Sequence, residues 1–229
     1  MNDAAFGIGA YSLAEAGRLL GVSPITIRRW LFGYSYDHHG PKTEQRPLWH
    51  PQYGVDQDEP LLGFRDLIEA RIVRGLRSLN IGLPTIRECL RRASELVEDD
   101  HPFSTRRFKT DGRRIFLDMM DDDGDGQLID LKLRQIAFRR IVEPSFVDLD
   151  FDADAASRWW LRKKTIVLDP ARSFGQPIVA ENGVTTARIA QAVTAEGSIE
   201  RVAQLFELKP AVVRDALAFE HRGIDKLAA

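Results

Sequence analysis

The chain has 229 residues, 44% apolar and 29% charged, with a formal net charge of −2, which suits an ordinary globular protein of one large domain or two to three small ones. Its single cysteine, Cys89, excludes an internal disulfide and a Cys-paired metal site and suits a reducing cytoplasm, no apolar run approaches the ~18 residues of a membrane span, and the start "MNDAAFGIGAYSLAEAG" does not read as a secretory signal. The acidity is uneven, with net charges of +2 over 1–114, −7 over 115–157 and +3 over 158–229, so the total does not exclude a polyanionic partner.

In chain order, Ser12 with Glu15 forms a capping box, and Leu13, Ala16, Leu19 and Leu20 recur at helical spacing. Gly21 breaks this helix, and the small Ala16 is expected to let a second helix cross closely. Ser23 caps again, with Pro24 at the first helical position. Ile27 and Leu31 face inward, while Thr26, Arg28 and Arg29 project outward. Two short helices, a tight glycine turn and a basic outer face are the makings of a helix-turn-helix.

Residues 33–60 have no sustained period and read as a long loop with a short hairpin or wing; Lys42 and Arg46, with His38 and His39, are its candidate contacts to a nucleic-acid backbone. Helices follow at about 63–79, with Leu67, Ile68, Ile72, Leu76 and Leu79 inward, and 84–98, with Ile86, Leu90 and Leu96 inward and Cys89 as a packing residue. The arginines of "RIVRGLRSL" and "IRECLRR" spread around helices that also carry acids and read mainly as solvating charge. The alternation in 113–120 and 127–133 predicts two strands. Between them "DDDGDG" (121–126) matches the first half of a calcium loop, but Lys132 stands where the bidentate Glu belongs, so it reads as a hairpin tip. The histidines 38, 39 and 50 lack completing ligands, so no metal is expected.

An acidic connection leads to about 157. Trp159 and Trp160 follow as candidate interface anchors, then a hairpin from "TIVLDP" (165–170) and "QPIVAEN" (176–182), and helices at about 185–194, 198–206 and 210–221. Laid without gaps over 12–31, residues 198–217 repeat the first helix pair: Ser12 meets Ser198, Leu19 meets Leu205, Pro24 meets Pro210, Ile27 meets Val213, Arg28 meets Arg214 and Leu31 meets Leu217. The outer faces differ, because Val212 and Asp215 replace Thr26 and Arg29. An acid repels phosphate and a valine cannot pair with a base edge, so the first unit suits DNA and the second, with Val212, Arg214 and Asp215, a protein surface.

"YSLAEAGRLLGVSPITIRRWL" with "GFRDLIEARIVRGLRSLNIGLPTIRECL" resembles a MerR-type winged helix-turn-helix, with a longer segment between. "TIVLDPARSFGQPIVAENGVTTARIAQAV" with "GSIERVAQLFELKPAVVRDALAFE" resembles a small bacterial domain of unknown function associated with toxin–antitoxin loci. Joined through "DHPFSTRRFKTDGRRIFLD", the two resemble VapB-type antitoxins of this two-part architecture. The resemblance implies a cognate PIN-type toxin and repression of the shared promoter. Many VapB-type antitoxins are short with a disordered toxin-binding tail; here a compact helical segment stands instead.

The expectation is therefore a mainly α protein with small β-hairpins (α+β). A DNA-binding winged helix-turn-helix spans 1–105, a β-hairpin and acidic connecting region 106–162, and an antitoxin-associated helical domain 163–229. The DNA contacts would be Ser23, Pro24, Thr26, Arg28, Arg29, Lys42 and Arg46, and the protein interface Trp159, Trp160, Val212, Arg214 and Asp215. No P-loop, nucleophile elbow or paired-carboxylate constellation is present, so no enzyme activity and no cofactor are expected. The expected function is a cytoplasmic antitoxin and autorepressor that binds promoter DNA as a homodimer and neutralises a PIN-type ribonuclease. The rival is a MerR-like regulator without a toxin, responding to a small molecule near the tryptophan pair.

Overall fold

A computed structural model describes residues 7–36, 43–54, 60–110, 138–162 and 164–225. The chain divides into two units, Ser12–Ala156 and a second made of Met1–Tyr11 with Ser157–Ala229. This differs from the division at 105 and 162, because the described residues of 138–156 pack within the first unit and do not stand apart. The strands expected at 113–120 and 127–133, the DDDGDG segment, His38, His39 and Lys42 lie outside the described residues.

In the first unit, α1 (Leu13–Leu20) starts at a complete capping box: Glu15 N–H donates to Ser12 Oγ at 3.2 Å and Ser12 N–H to Glu15 Oε2 at 2.8 Å. It ends at Gly21 in the left-handed region, φ 63°, which glycine enters without steric cost. Ala16 is fully buried, but Gly17 makes the close approach: a Cβ there would stand 2.8 Å from the Val22 carbonyl oxygen and 3.3 Å from Pro24 Cγ. Helix α2 (Pro24–Phe32) buries Ile27, Trp30 and Leu31. Covering such side chains stabilises by about 1.5–3 kcal/mol each.

A hairpin follows, β1 (Tyr34–Tyr36) antiparallel to β2 (Thr43–Gln45) with Ser35 opposite Glu44. The loop beyond it is organised by one carboxylate on α3 (Phe64–Ser78). Fully buried Asp66 accepts hydrogen bonds from Trp49 Nε1 (2.8 Å), Gln52 N–H (3.0 Å) and Gly63 N–H (2.9 Å), and His101 Nε2 lies 2.9 Å away. A buried carboxylate is tolerated when its lone pairs are filled in this way.

Helix α4 (Leu83–Val97) buries Ile86, Cys89, Leu90, Ala93 and Val97. Leu96, expected inward, is 56% exposed. Val97 continues the stripe from Leu90 and Ala93 at spacings of seven and four, leaving Leu96 on its outer edge. Phe103, Phe108, Phe146 and Phe151 then form a chain of tilted ring contacts 4.8–6.3 Å apart, with a π-helix at Phe138–Val142 and a 3₁₀ turn at Glu143–Phe146. Strand β3 (Leu149–Asp152) precedes β4 (Ala155–Arg162), which carries the chain into the second unit.

There β4 pairs antiparallel with β5 (Ile166–Leu168), Trp159 opposite Leu168, and β5 with β6 (Pro177–Val179), Val167 opposite Ile178; the hairpin expected from 165–170 and 176–182 is present, and β4 adds a strand to it. Helices α5 (Thr186–Glu196), α6 (Ile199–Leu205) and α7 (Pro210–Asp225) follow. They bury Ile189, Val202, Ala203, Leu208, Val213 and Ala216 against Val179. The N-terminal residues join this unit: Ala10 N–H donates to the Phe174 carbonyl at 3.0 Å and Tyr11 Oη to the Gly175 carbonyl at 2.8 Å. The architecture is mainly helical with small antiparallel hairpins, an α+β fold.

Candidate nucleic-acid interface

The site begins at the turn between α1 and α2. Val22 N–H donates to the Gly17 carbonyl (3.1 Å), and Thr26 and Ile27 N–H both reach the Ser23 carbonyl (3.0 and 3.2 Å). Ser23 Oγ accepts from Thr26 N–H at 3.3 Å and lies 2.8 Å from Thr26 Oγ1, so both hydroxyls are spent largely on holding the helix start. Their contribution is a rigid N-terminus, whose dipole favours an anion. No acid sits in its first turn.

Ser23, Pro24, Ile25, Arg28 and Arg29 are exposed, and Thr26 is half-buried. The Arg28 guanidinium has no partner among the described residues. Arg29 lies over the Tyr34 ring at 5.0 Å, a cation–π contact that ties the outer face of α2 to the hairpin. Arg46 is exposed just past β2, and its carbonyl accepts from Arg87 Nη2 at 2.9 Å. Six of the seven expected DNA contacts are therefore in the described residues, five on α2 or its cap and one beside the hairpin. Lys42 lies outside them.

The second helix pair repeats the first in backbone detail. Leu208 N–H donates to the Ala203 carbonyl (2.8 Å), and Val212 and Val213 N–H to the Lys209 carbonyl (2.9 and 3.3 Å), position for position the bonds at Gly17 and Ser23. Glu207 occupies the left-handed conformation, φ 55°, where the first turn has Gly21. The outer face is different. Val212 is half-buried against the unit's own core, Arg214 is exposed, and Asp215 Oδ1 pairs with Arg162 Nε at 2.8 Å. Trp159 is only 7% exposed, so most of its area already serves its own fold; Trp160 is half-buried. Of the expected protein-interface residues, Arg214 presents its side chain most openly.

Sequence reasoning missed Tyr34 as Arg29's platform, Arg162 as Asp215's partner, and Arg74, whose Nη2 sits 3.6 Å from where a Cβ on Gly21 would stand. The aromatic immediately after the Gly33 stop was the one available signal for Tyr34. The other two are tertiary relationships with no local pattern.

Comparison with known proteins agrees with this geometry. Residues 9–90 match the family described as "Putative DNA-binding HTH domain", and residues 166–219 match a protein family of unknown function, DUF433. The chain is 28% identical over 225 residues to "Putative antitoxin VapB45" of Mycobacterium tuberculosis, covering 93% of this chain and 94% of that protein. The crystal structure of Rv2018 from Mycobacterium tuberculosis superposes with a TM-score of 0.68 at 23% identity, over 90% of this chain and 96% of that one, and so shares the fold. Among the described residues no helix is long and apolar enough to cross a membrane.

Proposed function

We propose that the chain is the antitoxin of a toxin–antitoxin pair, a cytoplasmic protein acting by binding rather than by catalysis. It binds its own promoter through α2 as an autorepressor and neutralises a PIN-type ribonuclease through the second unit. The observation that carries the DNA half is the exposed pair Arg28 and Arg29 on a capped helix with no acid in its first turn. Guanidinium groups pair with phosphates and with guanine edges. One nine-residue helix reads few base pairs, so a homodimer on two half-sites is part of the reading. The toxin half is supported by the similarity to a protein carrying the antitoxin name.

The test is co-expression with the neighbouring reading frame, followed by growth measurement, pull-down and a gel shift on the shared promoter. Growth rescue with a stable complex and a shifted promoter is the expected result. A neighbour that is not toxic and not captured overturns the antitoxin reading, and an unshifted promoter overturns autorepression.

A further inference from the structure

We propose that a cleft on the outer face of α3 binds a phosphoryl group. Its volume is about 310 Å³, and its walls are Arg71, Arg74 and Gly75 from α3 and Arg140, Ile141 and Pro144 from the segment after residue 137. It exists because of Gly75: a Cβ there would run into Ile141 Cγ2, so only glycine lets the π-helical turn Phe138–Val142 lie directly on the α3 backbone. π-Helical turns recur at functional sites.

The three arginines are not equivalent. Arg71 forms a two-bonded pair with Asp148 (Nη1–Oδ1 and Nη2–Oδ2, both 2.9 Å) and donates to the Ser145 carbonyl at 3.1 Å, so its charge is compensated and its position fixed. Arg74 and Arg140 are exposed, and neither has a guanidinium partner among the described residues. Glu143, the acid nearest in sequence to Arg140, is exposed and does not line the cleft. Two guanidinium groups without a partner among the described residues thus face one concavity from two elements.

A carboxylate has two oxygens in one plane and satisfies one guanidinium fork. A phosphoryl group offers three or more acceptors in three dimensions and can meet two forks at once. The apolar wall of Ile141 and Pro144 suits the organic part of a phosphate ester. The volume is at the small end of the roughly 300–1,000 Å³ of small-molecule sites.

That phosphoryl group comes from a free phosphorylated ligand or from a DNA strand. The second source rests on the DNA reading above and is raised by Arg74, which also borders the Gly21 turn leading into α2. The experiment uses the full chain and titrates inorganic phosphate and pyrophosphate against chloride at matched ionic strength, by calorimetry. Wild type is expected to show saturable binding that Arg74→Gln and Arg140→Gln each weaken at least five-fold; Arg74→Lys, which keeps charge but loses the fork, falls between. Both sites are exposed, and circular dichroism confirms each variant's fold. The same variants are then measured on promoter duplex against salt. A slope of log affinity on log salt that falls by about 0.9 per lost contact assigns the phosphoryl group to DNA, and an unchanged slope with lost phosphate binding assigns it to a free ligand. Wild type that prefers neither anion over chloride, with variants whose slope matches wild type, overturns the proposal. Wild type that fails to bind DNA overturns only the DNA reading, and the phosphate titration still decides the cleft.

Discussion

The guanidinium of Arg29 stands 5.0 Å above the ring of Tyr34, joining the last turn of α2 to the first strand of the hairpin. The contact costs Arg29 rotamer freedom before DNA arrives and leaves less to lose on binding. Tyr34→Leu keeps an apolar surface and removes the ring face. It is expected to weaken promoter binding by about 0.5–1 kcal/mol, the scale of an exposed cation–π contact. Loss as large as that of Arg29→Ala in a quantitative gel shift would give the tyrosine a direct DNA contact instead.

Replacing Arg28 and Arg29 together by Ala removes both exposed guanidiniums and leaves Ile27, Trp30 and Leu31 in place. Promoter affinity should drop by a few kcal/mol, from about 1–3 kcal/mol per good base contact. Thermal unfolding should be unchanged. A folded double variant that binds as well as wild type would remove α2 from the interface.

Arg214→Glu reverses the charge of an exposed side chain on α7 without touching the core residues Val213 and Ala216. Growth rescue from the toxin is expected to fail while the promoter shift persists. If promoter binding is lost and rescue survives, the two helix pairs have exchanged roles.

How much of this could be read from the chain depends on distance along it. The helix pair at 12–31 was legible because its signals are local: Ser12 with Glu15, Gly21, Ser23 with Pro24. The β5–β6 hairpin was legible because its signals are local as well: two short apolar runs, Ile166–Leu168 and Ile178–Val179, separated by Pro170 and Gly175. The structure of 46–54 was not, because its organiser is Asp66, which reaches back to Trp49 and Gln52 over 17 and 14 residues. In the second pair the acid on the outer face was visible as Asp215. Its compensation by Arg162 was not, since a strand 53 positions earlier brings the partner. Ala16 against Gly17 shows a third limit: both are small, and only backbone geometry tells which of them the crossing needs.

Gly17→Ala tests that geometry. The added Cβ would sit 2.8 Å from the Val22 carbonyl oxygen, so the turn must open. Urea unfolding should show a loss of about 1–3 kcal/mol, typical of overpacking, together with weaker promoter binding because α2 is re-aimed. A change below about 0.5 kcal/mol, the size of an ordinary surface substitution, would mean that the turn yields freely.

Burial pushes the Glu69 carboxyl well above its ordinary range, with Arg65 and the Ser104 N–H pulling it down and Asp66 and Asp99 raising it further. Oε1 accepts from Ser104 N–H at 2.9 Å, and Oε2 is buried without a hydrogen-bond partner among the described residues. A raised folded pKa means that the native state holds a proton which the unfolded chain releases from about pH 4.5 upward. Stability from this group is full below that pH and is lost as pH rises through the folded value. Glu69→Gln, always neutral, should therefore gain on wild type in melting temperature as pH is raised from 5 to 8. A difference between the two that stays constant over this range would show the carboxyl titrating as if it were exposed.

The attachment of residues 7–11 to the second unit sets an order of events on the ribosome. Ala10 and Tyr11 are made first, yet the carbonyls they bond, on Phe174 and Gly175, are made more than 160 residues later. The intervening unit, Ser12–Ala156, is complete in sequence before those partners exist and is free to fold while synthesis continues. The bonds from Ala10 and Tyr11 to Phe174 and Gly175 therefore close only late in synthesis. A chain released before residue 174 would carry the first unit and lack both of these bonds.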